Sequence, residues 1–140
     1  IRTEQVSDMT SRSSAKPQVR EKLTELQRTL AKKEDVLMDG RDIGTMILPD
    51  AQLKIFLTAS VKTRAERRYK EQIEKGESCT LEEIERDIEE RDYRDSHRET
   101  APLRQAEDAV LVDSSDMTID EVVAAIVALA RERMQMATCR

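Results

Sequence analysis

The chain has 140 residues, a size that suits one ordinary domain, with 38% charged residues and a formal net charge of −5. That balance offers no electrostatic reason for a nucleic acid or an anionic membrane as partner. The longest apolar run, Val122 to Ala130, is far too short to span a bilayer, and no charged-then-apolar signal segment opens the chain.

Two Tyr, one Phe and no Trp leave a modest, aliphatic core. Cys79 and Cys139 are isolated thiols with neither disulfide nor metal spacing, so the composition points to no metal site and to a reducing cytoplasm. The first residue is Ile rather than Met and the chain opens in mid-pattern, which reads as an internal piece of something longer. A cloning boundary or a proteolytic cut would look the same.

In chain order, residues 1–16 are polar and read as loop or weak helix. Pro17 suits a first helical position, and Val19, Leu23, Leu26 and Leu30 then recur at helical spacing, predicting an amphipathic helix over 17–32. Val36 to Asp39 reads as a buried parallel strand that breaks into the charged turn Asp39-Gly40-Arg41-Asp42-Ile43-Gly44-Thr45. Leu53 to Ala59 is a second strand. Val61 to Lys75 is a basic helix closed by Gly76, with Arg64, Arg67 and Arg68 clustered on it.

Thr80, with Glu83 three residues on, opens a helix through a capping box. Ala109 to Asp113 is a third strand. Thr118 and Glu121 form a second capping box, starting a helix whose face is Ile119, Val122, Val123, Ile126 and Leu129. Alternating strands and helices predict an α/β fold with a parallel sheet.

Two stretches carry chemistry. In the first, an apolar run delivers Asp39, Arg41 and Asp42 to the carboxyl end of a strand, where open α/β sheets bind ligands. Gly40 and Gly44 allow a sharp turn and close backbone approach, and Arg41 is a fork suited to phosphate or carboxylate. The plain alternative is an ordinary charged turn.

The second stretch is the helix from Leu81. Its core stripe of Ile84 and Ile88 continues as Arg91, Asp95 and Arg98, all within about a quarter of the circumference. Charges on an inward face are costly unless paired with one another or with a ligand. Either the stripe leaves the core and these groups are solvated, or they line a cleft with two guanidiniums for an anion and a carboxylate for hydroxyls. Ala101-Pro102-Leu103 stops the helix.

D-G-R-D-I-G-T, P-D-A-x-L-K-I-F-L-T-A-S and E-R-D-x-R-D-x-x-R-x-x-A-P-L, in that order, closely resemble bacterial cytidylate kinases, and the opening I-R-T-E-x-V fits the same family. The resemblance runs from Ile1 to about Arg131. It implies a three-layer, phosphate-loop, nucleoside-monophosphate-kinase-like fold, a parallel sheet flanked by helices. It also implies transfer of the γ-phosphoryl group of ATP to CMP or dCMP with Mg2+, by a kinase of pyrimidine metabolism.

Residue by residue, the resemblance implies that Ser11, Arg20 and Asp42 recognise cytosine, that Arg91 and Asp95 lie around the sugar, and that Arg41 and Arg98 hold the acceptor phosphate. Arg64, Arg67 and Arg68 would begin a lid, at about 62–80, that closes over the ATP phosphates. Residues 1–35 would complete the monophosphate-binding region and 36–140 the core sheet and helices. Asp39 is a candidate for acting on the metal through water or for orienting Arg41, and equally for only holding the turn.

One departure is large. The family's glycine-rich phosphate loop is missing: Gly40, Gly44 and Gly76 admit no G-x-x-x-x-G-K-[ST]. The sheet is therefore expected to be incomplete and the 140 residues alone inactive, with a separate amino-terminal segment or an element-exchanging second copy filling the gap. Two other readings stand beside this one: a kinase for another monophosphate such as UMP or AMP, and a non-catalytic nucleotide-binding or assembly fragment. His97 reads as an exposed helix residue, Met134 and Met136 as a frayed end, and Asp113 to Asp116 as a turn that could also touch ATP.

Overall fold

A computed structural model describes residues 6, 9, 13 and 16–138. By its internal contacts the chain divides into two compact units, Ile1–Gly40 and Arg41–Arg140.

The first unit is built on helix α1 (Pro17–Lys33). Proline at its start costs nothing, because the missing N–H would have had no helical partner, and Lys32 and Lys33 complement the carbonyl end. No α1 residue is buried, and its apolar stripe of Val19, Leu23, Leu26 and Leu30 is exposed.

The expected strand at Val36–Asp39 is absent: the segment is irregular, and Leu37 is 97% exposed. A strand exists only with a neighbour to take its N–H and C=O groups, and among the described residues none pairs with this one.

The second unit opens with a single turn of π-helix (Ile43–Ile47), in which the amides of Ile47 and Leu48 bond back five residues to the carbonyls of Asp42 and Ile43. Gly40 and Gly44 do not use the positive φ that glycine allows. Gly76, just beyond the second helix, is the one described glycine with a positive φ, +76°.

Strands β1 (Ile55–Thr58) and β2 (Val110–Asp113) pair in parallel, with Ile55 opposite Val110 and Thr58 opposite Asp113. Both are shorter than the apolar runs that announce them. The described sheet therefore has two strands rather than the three that the sequence suggests.

Helices α2 (Val61–Glu74) and α3 (Leu81–His97) form the crossover between the strands and pack on one another. Ala65, fully buried, lets α2 approach Ile84 and Ile88 closely, and Val61, Tyr69, Cys79 and Leu81 surround them. Ser60 caps α2 by accepting from the Thr63 amide, and Thr80 and Glu83 form the capping box of α3. Thr118 and Glu121 exchange the same reciprocal bonds at the start of α4 (Ile119–Thr138). On α4, Val122, Ile126 and Leu129 are half-buried, whereas Ile119 and Val123 are exposed. No helix among the described residues is long and apolar enough to cross a membrane.

Candidate functional site

The buried stripe of α3 does turn polar, and its charges are paired. One helical step beyond Ile88 comes Arg91, and one turn further Asp95, whose side chain is only 20% exposed. Arg41 donates from Nε to Asp95 Oδ2, across 54 residues of sequence. Arg91 Nε stands 3.9 Å from the same oxygen. One carboxylate thus gathers two guanidiniums, and both are held by their Nε side. The Nη donors of Arg41 make no other bond among the described residues.

Arg98 is not on the helix. The helix ends at His97, and Arg98 is its extended C-cap, with φ −66° and ψ 143°. Its Nε donates to the Ala101 carbonyl at 2.6 Å. Its Nη2 lies 3.9 Å from Asp42 Oδ1, too far for a hydrogen bond, and that Nη2 atom is buried without any hydrogen-bond partner. A buried donor left unsatisfied is costly and rare.

Asp42 is fixed from behind. Its main-chain carbonyl accepts from the Met46 amide at 2.8 Å, the Ile47 amide at 3.2 Å and the Thr45 hydroxyl at 3.4 Å. The π-turn therefore sets the direction in which the Asp42 carboxylate, 13% exposed, leaves the backbone.

The local charge is unbalanced. Burial, first of all, pushes the Arg91 guanidinium below its ordinary pKa, and the charges of Arg41, Arg68 and Arg94 push the same way against Asp95. Several cations crowd one carboxylate. Such a region favours an anion that can accept several charge-assisted bonds at once.

The three arginines of α2 have different surroundings. Arg64 forms a bidentate pair with Asp92 on α3, at 2.9 and 2.6 Å, and its Nε donates to the Ala59 carbonyl at 2.9 Å. The bond to Asp92 raises the Arg64 pKa further above its ordinary value, against the effect of burial. Arg67 donates to the hydroxyl and carbonyl of Ser114 and to the Met117 carbonyl. The Arg68 side chain makes no hydrogen bond or ion pair among the described residues, and its charge is felt at Arg91.

Ser114 is buried and donates to the Thr58 carbonyl, while Ser115 bonds to the Asp113 carboxylate. The 113–116 segment thus closes the end of the sheet. His97 is exposed, stacked on Tyr93, with Nδ1 near the Tyr93 carbonyl and the Ser96 hydroxyl.

Of the remaining candidates, Ser11 lies outside the described residues. Arg20 is half-buried on α1 and Asp39 is exposed in the irregular stretch before Gly40, both in the first unit. Asp92 and Ala101 stand in the quoted E-R-D-x-R-D-x-x-R-x-x-A-P-L motif, and Ala101 in the helix stop, but the sequence reading gave neither a part in the site. The only local signal for Ala101 is that it precedes a proline, and Asp92 has none, because its partner is 28 residues away.

Comparison with known proteins agrees with the motifs. The family model described as cytidylate kinase matches residues 1–132. Over 134 residues, 96% of this chain, the sequence is 56% identical to the cytidylate kinase of Streptococcus pneumoniae strain 70585. It is 55% identical, over the same span, to those of strains Hungary19A-6 and JJA. The chain spans about 60% of the length of these relatives. The chain belongs to the cytidylate kinase family.

Proposed function

We propose that the chain provides the acceptor-nucleotide site and the start of the lid for phosphoryl transfer from ATP to CMP or dCMP, yielding ADP and CDP or dCDP. The observation that carries this reading is the buried, unpartnered Nη2 of Arg98 beside the Asp95-centred arginine cluster. In the transfer, an oxygen of the acceptor phosphate bonds to the γ-phosphorus of ATP as the bond to the β-phosphate oxygen breaks. Two anions have to meet in line, so the protein's part is positioning and charge neutralisation.

Arg98 and Arg41 hold the acceptor phosphate. Arg91 and Asp95 flank the sugar, with Asp95 also keeping Arg41 in place. Asp42 reads the exocyclic amine of cytosine, with Arg20 and Ser11 completing the base set. Arg68, whose hydrogen bonds are uncommitted, is the first of the lid arginines to meet an ATP phosphate. Arg64 and Arg67 join only by giving up Asp92 and Ser114. The described residues gather no group of three or more His, Cys, Asp or Glu suited to a metal ion. The Mg2+ that accompanies ATP is held by phosphate oxygens and water with at most one or two carboxylates, so it needs no such group. Asp39 alone is a weak candidate and serves the Gly40 turn equally well.

Calorimetry on the intact protein tests the reading. CMP is expected to bind far more tightly than cytidine, and ATP-dependent turnover to favour CMP and dCMP over UMP and AMP. Equal affinity for cytidine and CMP would remove the phosphate role of Arg41 and Arg98.

A further inference from the structure

We infer that the turn at Ala101 is what aims Arg98, which makes Ala101 a positioning residue for the acceptor phosphate; this rests on the reading of Arg98 given above. Ala101 has φ +50°, the one positive value among the described non-glycine residues. An L side chain is disfavoured there and persists only where its surroundings impose it.

The constraints are visible. Ala101 is buried, 5% exposed, so its methyl has no room to swing out, and Pro102 follows directly. The Leu103 amide donates to the Asp95 carbonyl at 2.8 Å, folding the turn back onto the end of α3. The Ala101 carbonyl faces inward and takes the Arg98 Nε–H at 2.6 Å. The turn is thereby tied to two residues of the site, Asp95 through its backbone and Arg98 through its side chain.

Its effect on Arg98 follows from the shape of the guanidinium, which is planar with its donors in a rigid fork. Fixing Nε fixes the plane. With the plane set, Nη2 has a set place beside Nε, where it stands buried, 3.9 Å from Asp42 and without a hydrogen bond. Were φ at Ala101 to relax to a negative value, the carbonyl would rotate away. Nε would lose its acceptor, and the fork would be free to collapse onto Asp42.

The test compares Ala101→Gly and Ala101→Val with the unaltered intact protein, measuring the ratio of cytidine to CMP dissociation constants by calorimetry. Valine, β-branched at a positive φ, is expected to lower that ratio by about tenfold with cytidine affinity little changed, a loss that matches one charged hydrogen bond. Glycine keeps the turn available but loosens it, for a loss of about two- to threefold. A second readout needs no ligand: proton exchange of the Arg98 Nε–H by NMR, assigned through Arg98→Lys. It should be slow in the unaltered protein, faster in Ala101→Gly and fastest in Ala101→Val.

Unchanged ratios together with unchanged exchange in folded variants overturn the inference, as does an equal loss of cytidine and CMP affinity. Should Ala101→Val fail to fold, Ala101→Gly decides by the same two measures. Equal cytidine and CMP binding in the unaltered protein would sink the phosphate reading, and the Nε–H exchange would then decide the positioning claim by itself.

Discussion

Asp95 holds Arg41 and Arg91 through one oxygen, so its loss takes the partner from two guanidiniums at once. Asp95→Ala would leave two guanidiniums facing each other with no carboxylate between them. It is expected to lower stability by about 2 kcal/mol, the scale of a charge-assisted hydrogen bond left unmade. Urea unfolding measures this, and a change below about 0.5 kcal/mol would mean that the pair is ordinary solvated surface. On the proposed role of Arg98, Arg98→Ala should cost about 2–4 kcal/mol in kcat/KM for CMP in the intact protein, the scale of lost charged hydrogen bonds. Asp42→Ala should erode discrimination between CMP and UMP more than it slows UMP phosphorylation; equal losses would make Asp42 a support of the π-turn only. In the sequence Arg91, Asp95 and Arg98 stand out because a charged continuation of a buried stripe is anomalous, and Arg41 and Asp42 because an apolar run breaks there into a charged, glycine-bearing turn. Asp92 does not. Its bond to Arg64 exists only because Ala65 lets α2 settle against Ile84 and Ile88, and nothing local in either segment announces it.

At the scale of elements, legibility followed how local the determining interactions are. Both capping boxes, the proline start of α1 and the glycine end of α2 depend on residues within one turn, and the structure has them where the sequence puts them. Thr80→Ala should therefore destabilise the protein by about 1 kcal/mol, read as a shift of the unfolding midpoint, by stripping the cap from α3. The box at α4 adds a pH dependence. Backbone and side-chain hydrogen bonds from Thr118 hold the Glu121 carboxyl below its ordinary pKa. A depressed folded value means that Glu121 stabilises the fold above the usual glutamate pKa of about 4.3, and that this contribution fades as pH falls through the lower, folded one. Glu121→Gln should lower the melting temperature at neutral pH, and the gap from the parent should close on acidification. A gap constant from pH 7 down to about 3 would contradict this sign. The Lys54 bond lowers the Asp108 pKa in the same direction. The segment Val36–Asp39 was the miss at this scale. Its apolar run promises a strand, but strand pairing is a property of two segments, and only one is in view.

At the scale of the molecule, the division after Gly40 falls beside the stretch where sequence and structure disagree. Residues 35–39 have no regular structure, Leu37 is 97% exposed, and no ladder bonds protect the backbone among the described residues. A protease needs an extended, accessible segment of several residues, and within a helix local unfolding must supply it first. Here none is needed. The long helices on either side differ in this respect: α1 carries its own hydrogen bonds, and α2 and α3 are locked together around Ala65. Brief digestion with thermolysin, which cuts before Leu and Met, is expected to cleave first at Leu37 or Met38. The carboxy-terminal product, beginning there and containing Arg41 to the chain end, should resist further cutting, because α2 and α3 pack together and the irregular stretch 98–109 is tied by the Leu103–Asp95, Ala109–Ala106 and Arg98–Ala101 hydrogen bonds. Mass spectrometry of the first product identifies the site. A first cut within α2, α3 or the 98–103 turn, with 35–39 left intact, would show that the irregular stretch is covered in solution. Replacing Leu37 and Met38 with residues that thermolysin ignores provides the control. If flexibility of the segment sets the rate, the first cut should slow sharply while the melting temperature changes little, since Leu37 has almost no buried area to lose and Met38, half-buried, only part of its own.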